Sequence, residues 1–146
     1  MNEPVELLVE ECLELLSGGG VGRVAMCTPM GARIVPLNYA MNDEAIVFRT
    51  TPYSELGTYG WNTDLAFEID HLDFEKHQGW SVVAIGRGEL VKDADEIQAI
   101  RDGWDPTPWA GGRRHLYVRL RWRDITGRRL RGDLTRESTK PAHRAL

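Results

Sequence analysis

The stretch "HLYVRLRWR", residues 115–123, decides the fold. Leu116, Val118, Leu120 and Trp122 alternate with Tyr117, Arg119, Arg121 and Arg123. A period of two is that of a β-strand with one face on a core and the other toward water. It is the clearest such signal in the chain, and a further short strand is expected near Ile125–Leu130.

Working upstream, the same period recurs. Leu65, Phe67 and Ile69 point one way within Asp64–Asp70, and Gly79–Lys92 reads as a long strand. Gly86 and Gly88 in that strand are placed to let it bend around a barrel corner. Three earlier strands, Val21–Thr28, Ala32–Met41 and Glu44–Thr50, are separated by turns at "PMG" (29–31) and "ND" (42–43), which reads as a meander. Tyr53–Trp61 reads as irregular or briefly helical, Asp93–Asp102 as a short helix and "WDPTPWAGG" (104–112) as a loop.

Helical spacing appears at the start. Val5, Leu8, Val9, Cys12, Leu13, Leu15 and Leu16 share a face over residues 4–16, with glutamates on the rest. Asn2 suits the N-cap, and Gly18, Gly19 and Gly20 stop the helix. The expectation is a mainly β fold. It is a six-stranded antiparallel barrel, closed or partly open, with an N-terminal helix and one or two short helices. One domain should occupy residues 1–131, with a polar, disordered tail at 132–146.

Composition sets outer bounds. The chain has 146 residues, 42% hydrophobic and 27% charged, which suits one soluble domain with a real core. No apolar run approaches the ~20 residues of a membrane span, and the acidic start lacks the basic region of a signal peptide. Cys12 and Cys27, without CxxC spacing, read as free thiols of a cytoplasmic protein. Residues 1–112 carry a net charge of −12 and residues 113–146 a net of +8. Such a basic end can meet nucleic acid or phosphate; a solvated strand face with a loose tail explains it as well.

Several chemistries lose support. "GGGVGRV" (18–24) follows a helix and opens a strand, the reverse of a dinucleotide-binding loop. There is no GxxxxGK[ST] and no GxSxG, and the four histidines lack ligand spacing. What stands out is "IVFRTTPYSELG" (46–57). There a buried strand gives way to Arg49, Thr50, Thr51 and Ser54, a cation with hydroxyls suited to an anion, and then to the acidic Glu55. Pro36, inside a strand, implies an edge or a bulge. A bulge would bring Arg33 and Asn38 toward one ligand, where a regular strand sets them on opposite faces.

"ARIVPLNYAM", "AIVFRTTPYSELG", "LAFEID", "GWSVVAIGRGEL" and "HLYVRLRWRDITGRRL" occur in that order. Together, over roughly residues 5–130, they resemble the pyridoxamine 5′-phosphate oxidase-like, FMN-binding split-barrel family. The likeness is closest to its small actinobacterial-type and nitroimidazole-reductase-like members. The resemblance implies a homodimer with a flavin in each of two interface grooves, acting on a small-molecule redox substrate. It assigns flavin contacts to Arg33, Ile34, Val35, Pro36 and Asn38. It gives the flavin phosphate to Phe48, Arg49, Thr50 and Ser54, and places Trp80 and Ser81 against the flavin of the partner chain. The family's substrate residues for the vitamin phosphate do not transfer, so vitamin B6 synthesis is not expected.

There is one departure. Relatives commonly read Ser/Thr-Lys where this chain has Ser54-Glu55. A like-charge approach at about 4 Å costs on the order of 4 kcal/mol at an effective dielectric near 20, and less when exposed. Glu55 must point to solvent, or a cation such as Arg33 or a C-terminal arginine must compensate, or flavin binding is weak or lost. The deazaflavin F420, a haem or tetrapyrrole ligand, and a non-catalytic binding module remain the alternatives.

Overall fold

The structure, a computed structural model, describes residues 3–103, 106 and 115–131. Its elements in chain order are β1 (Val5–Glu6), α1 (Val9–Ser17), β2 (Gly20–Thr28), β3 (Gly31–Asn42), β4 (Ala45–Thr50) and α2 (Glu55–Tyr59). They continue with β5 (Thr63–Asp73), β6 (Gln78–Val91), α3 (Ala94–Asp102) and β7 (Leu116–Leu130). The sheet order is β1-β7-β4-β3-β2-β5-β6, and a further antiparallel pairing of β6 with β7 closes six strands into a ring. The expected six-stranded split barrel is therefore what the chain forms, with β1 as a short addition on β7.

The interior follows from the period-two pattern. Val24, Met26, Phe48, Leu65, Phe67, Val82, Ala84, Val118 and Leu120 are buried in one cluster, closed at one side by Cys12 and Leu16 of α1. Phe67 sits between Tyr39 and Phe48, at ring-centroid distances of 4.8 and 5.3 Å. The Tyr39 hydroxyl donates to the Leu16 carbonyl at 2.7 Å and ties the barrel to the helix. Burial pushes its phenol up to about 12, so it stays a neutral donor. A second small cluster, Val47, Val91, Ile100 and Tyr117, lies under α3 on the other face of β4 and β7. Tyr117, on the polar register of the opening stretch, is buried there.

Four expectations need correction. The helix begins at Val9, because Val5 and Glu6 pair with Arg129 and Arg128, and the Leu7 N–H donates to the Gly127 carbonyl at 2.9 Å. The Glu11 carboxylate then accepts from the Leu8 N–H at 3.1 Å, as an N3 glutamate does at a helix start. The second hairpin turn is Asp43–Glu44, between paired Asn42 and Ala45, and Asp43 takes the left-handed φ of 51° that the tight turn requires. The last strand runs unbroken from Leu116 to Leu130. Finally, β2 and β3 pair without a shift from Gly20↔Tyr39 to Thr28↔Gly31, so Pro36 makes no bulge.

The glycine readings hold. Gly19 and Gly20 have φ of 68° and 111° where the chain turns from α1 into β2, a conformation costly for any residue with a Cβ. Between Ile85 and Gly86 the β6–β7 register skips Arg123. A Cβ on Gly86 would strike the Arg121 carbonyl, and one on Gly88 the Gly60 carbonyl. Both glycines let the strand pass close to other backbone at the bend. The N-cap of α1 is Leu8, so Asn2 is not its cap; most of the 104–112 loop and the 132–146 tail lie outside the described residues. No helix among the described residues is long and apolar enough to cross a membrane.

Candidate functional site

The barrel splits between β3 and β4. These strands pair only over Ala40–Asn42 with Ala45–Val47. Beyond that point β4 continues along β7, while Gly31–Tyr39 of β3 is laddered to β2 alone. The second edge of β3, from Arg33 to Asn38, therefore faces the split with no strand paired to it. Pro36 fits such an edge, since it has no N–H to give to a ladder.

Alternation sorts the side chains on this edge. Arg33, Val35 and Leu37 stand opposite Met26, Val24 and Gly22, and Val35 and Leu37 pack on the core. Ile34, 68% exposed, shares the outer face with Pro36 and Asn38. Arg33 and Asn38 therefore lie on opposite faces, and only the backbone of this strand is common to both.

Across the split stands α2. Its N-cap is Ser54, whose Oγ accepts from the Gly57 N–H at 2.9 Å and donates to the Thr51 carbonyl at 2.9 Å. Thr50 Oγ1 lies 2.6 Å from the same oxygen. One proton and two lone pairs are thus all engaged, and Ser54 acts as a fixed cap. Thr50 is buried, and Phe48 is wholly so. Arg49 lies on the opposite face of β4, directly across from Tyr117, with its guanidinium carbon 5.5 Å from that ring's centroid. The structure thus joins Thr50 to Ser54 and sets Arg49 apart from them.

Glu55, the residue that departs from the expected lysine, has a cation beside it. Its Oε1 lies 3.6 Å from Arg33 Nε. That separation makes an ion pair without a hydrogen bond. Among the described residues, Arg33 Nε is the one buried side-chain atom without a hydrogen-bond partner. Arg33 was one of the cations expected to compensate Glu55.

Trp80 and Ser81, adjacent in β6, point to opposite faces. Trp80 is in register with His71 and Arg129 and packs partly on the core, with its ring centroid 6.4 Å from that of His71. Ser81 faces outward beside Val83, Thr126 and Arg128.

Two features were not read from the sequence. The outer face of β2, β3, β5 and β6 carries an apolar hollow of about 240 Å³ lined by Ala25, Ile34, Ala66 and Val83, with Arg23 and Glu68 at its sides. Glu68 is followed two residues later by Asp70. Burial, then a hydrogen bond and like charge from Asp70, raise the Glu68 carboxyl above its usual 4.5. The alternation of Ala66, Glu68 and Asp70 against Leu65, Phe67 and Ile69 held that signal. The second feature is that the arginines of the opening stretch are paired. Arg119 meets Glu89 at 2.9 Å and Glu96 at 2.7 Å, Arg121 meets Glu89 at 3.0 Å, and Arg123 meets Asp64 at 3.0 Å.

A family model described as pyridoxamine 5′-phosphate oxidase matches residues 9–129. The chain belongs to the pyridoxamine 5′-phosphate oxidase-like family. A Corynebacterium glutamicum protein named for that oxidase is similar in structure, with a TM-score of 0.76 and 32% identity, over 91% of this chain and 97% of that one. An FAD binding protein from Mycobacterium smegmatis gives 0.73 at 28% identity, covering 87% and 98%. In sequence, an uncharacterized protein of Mycobacterium tuberculosis is 26% identical over 137 residues, 90% of this chain and 89% of its own. Across the family's split barrel, the open edge of β3 is where this chain offers backbone donors and acceptors that its own ladder leaves over.

Proposed function

We propose that this chain is a homodimeric flavin-binding oxidoreductase whose flavin lies along the open edge of β3. The observation that carries the reading is that edge itself, Arg33 to Asn38, with the buried Arg33 Nε, ion-paired to Glu55 but without a hydrogen bond, at one end. A flat ring with a polar rim needs main-chain donors and acceptors and an apolar wall. The edge supplies the first, and Val35 and Leu37, on the same face as Arg33, the second. The bound flavin would supply hydride transfer to a small-molecule substrate; the chain binds, orients and shields it.

The hollow flanked by Arg23 and Glu68 supports the dimer. An outer sheet face carrying Ala25, Ile34, Ala66 and Val83 suits a second copy better than water. Arg23 and the Glu68–Asp70 pair on the same face give it both signs of charge.

For the cofactor's phosphate end, the chain offers Arg33 held by Glu55, and a Ser54 hydroxyl already committed to its cap. FMN brings a terminal phosphate of nearly two charges close to Glu55. FAD, the cofactor in the name of the mycobacterial relative, spreads its charge over a diphosphate. Titration of the purified protein with FMN and with FAD, followed by flavin fluorescence, tests the reading. Saturable quenching by either supports it, and no binding of either at tens of micromolar overturns it.

A further inference from the structure

The outer face of β2, β3, β5 and β6, proposed above as the meeting face of two copies, carries more acid than base. Alternation puts Arg23 and Ala25 of β2, Ile34 of β3, Ala66, Glu68 and Asp70 of β5 and Val83 of β6 on it. Arg23 stands opposite Glu68 across the β2–β5 ladder, and its Nη1 lies 3.9 Å from Asp70 Oδ2. Glu68 and Asp70 are hydrogen-bonded to each other. A hydrogen bond between two carboxyl groups needs a proton on one of them.

No second cation is paired with these acids among the described residues. β3 presents Ile34, Pro36 and Asn38, and β6 presents Val83 opposite Glu68 and Ser81 opposite Asp70. Thr126 and Arg128 of β7 follow, so the Arg128 backbone is two strand spacings, about 10 Å, from that of Asp70. On β5 itself Asp64 is held by Arg123 at 3.0 Å, and on β2 Cys27 lies past Ala25. A two-fold contact brings up the same face again, so it repeats this surplus of carboxylate and cannot cancel it. Each Arg23 answers one carboxylate, and the other would be left charged beside the apolar hollow, which is costly. A proton on Glu68 removes that charge and keeps the hydrogen bond to Asp70.

We infer that two copies associate with uptake of one proton per chain, held between Glu68 and Asp70, so that the dimer tightens in acid and loosens as pH rises. This rests on the proposed homodimer, but not on its flavin. In the single chain burial already lifts the Glu68 carboxyl above 4.5, and covering by a second copy lifts it further. The protonated form therefore favours the dimer. Its contribution is full below the single-chain value and is lost as pH rises through the dimer's higher one.

Sedimentation of trace-labelled full chain across a range from about pH 5 to about pH 8 tests this, with flavin absorbance read in the same runs. The dimer dissociation constant should rise at least about tenfold over that range. Glu68→Gln keeps a donor toward Asp70 without the charge, and should hold the acid-range affinity throughout. Asp70→Asn leaves one carboxylate for Arg23 and should flatten the profile as well, so a misfolded Glu68→Gln leaves the test intact. A dissociation constant that is constant or falls as pH rises, or a profile unaltered in both variants, would overturn the inference; if that dimer carries flavin, the proposed function still stands. Single chains at every pH, up to about 100 μM, would overturn both.

Discussion

Arg33 Nε and Glu55 Oε1 stand 3.6 Å apart across the split between β3 and β4. One side chain comes from the open strand edge and the other from the first turn of α2. Both are 42% exposed, so the pair adds less than about 1 kcal/mol to stability. In the proposed flavin site, the pair would set the charge that a flavin phosphate meets. Glu55→Lys should tighten FMN binding by about tenfold, since it removes an anion and adds a cation. The measurement is an FMN titration of both proteins. Unchanged affinity would place Glu55 away from the phosphate.

Ser54 caps α2 and hydrogen-bonds to buried Thr50. Ser54→Ala removes the cap, worth about 1 kcal/mol, and leaves the Thr50 hydroxyl short of a partner, about 1 kcal/mol or more again. Urea unfolding should show a loss of about 2 kcal/mol. A loss within a few tenths would mean that the cap is dispensable.

Glu68 should make stability fall with rising pH. Its carboxyl is raised in the folded chain, so the folded state holds the proton more tightly than the unfolded one. That contribution is full below the usual glutamate value of 4.5 and is lost as pH rises through the raised folded value. Glu68→Gln should therefore raise the melting temperature at pH 8, with the gain shrinking toward pH 4. A gain that is constant across this range would remove Glu68 as its source.

Gly86 lies at the register shift of β6 against β7. Gly86→Ala drives a methyl group into the Arg121 carbonyl, and backbone cannot rotate away as a side chain can. The expected cost is about 3 kcal/mol, read by thermal or urea unfolding. Wild-type stability would show that the bend is relaxed by other means.

Most of the barrel was legible because one rule governs it. Leu65, Phe67 and Ile69, and likewise Val118 and Leu120, alternate in the chain and are buried in the structure. The rule fails where a strand is covered on both faces. Tyr117 sits among the polar positions of its strand yet is fully buried under α3. It also fails for the N-terminus, where helical spacing extends through Val5 but backbone pairing with Arg129 takes that residue into the sheet. The proposed flavin site rests on resemblance, and its geometry was not legible in the residues. Nothing in Arg33 to Asn38 states that β4 leaves the strand after Ala40, and that departure creates the open edge. Ser54 and Thr50 read as free hydroxyls in sequence, whereas folding uses them on each other. The Arg33–Glu55 pair was foreseeable in sign but not in distance.

The central claim joins two statements, that the chain binds a flavin and that it does so as a dimer. Analytical ultracentrifugation of the flavin-loaded protein, followed at the visible flavin band, tests both at once. The account predicts that the colour sediments with a species of twice the 16.5 kDa chain mass, at one flavin per chain. Colour left behind in the supernatant, or carried by a species of single-chain mass, would contradict it.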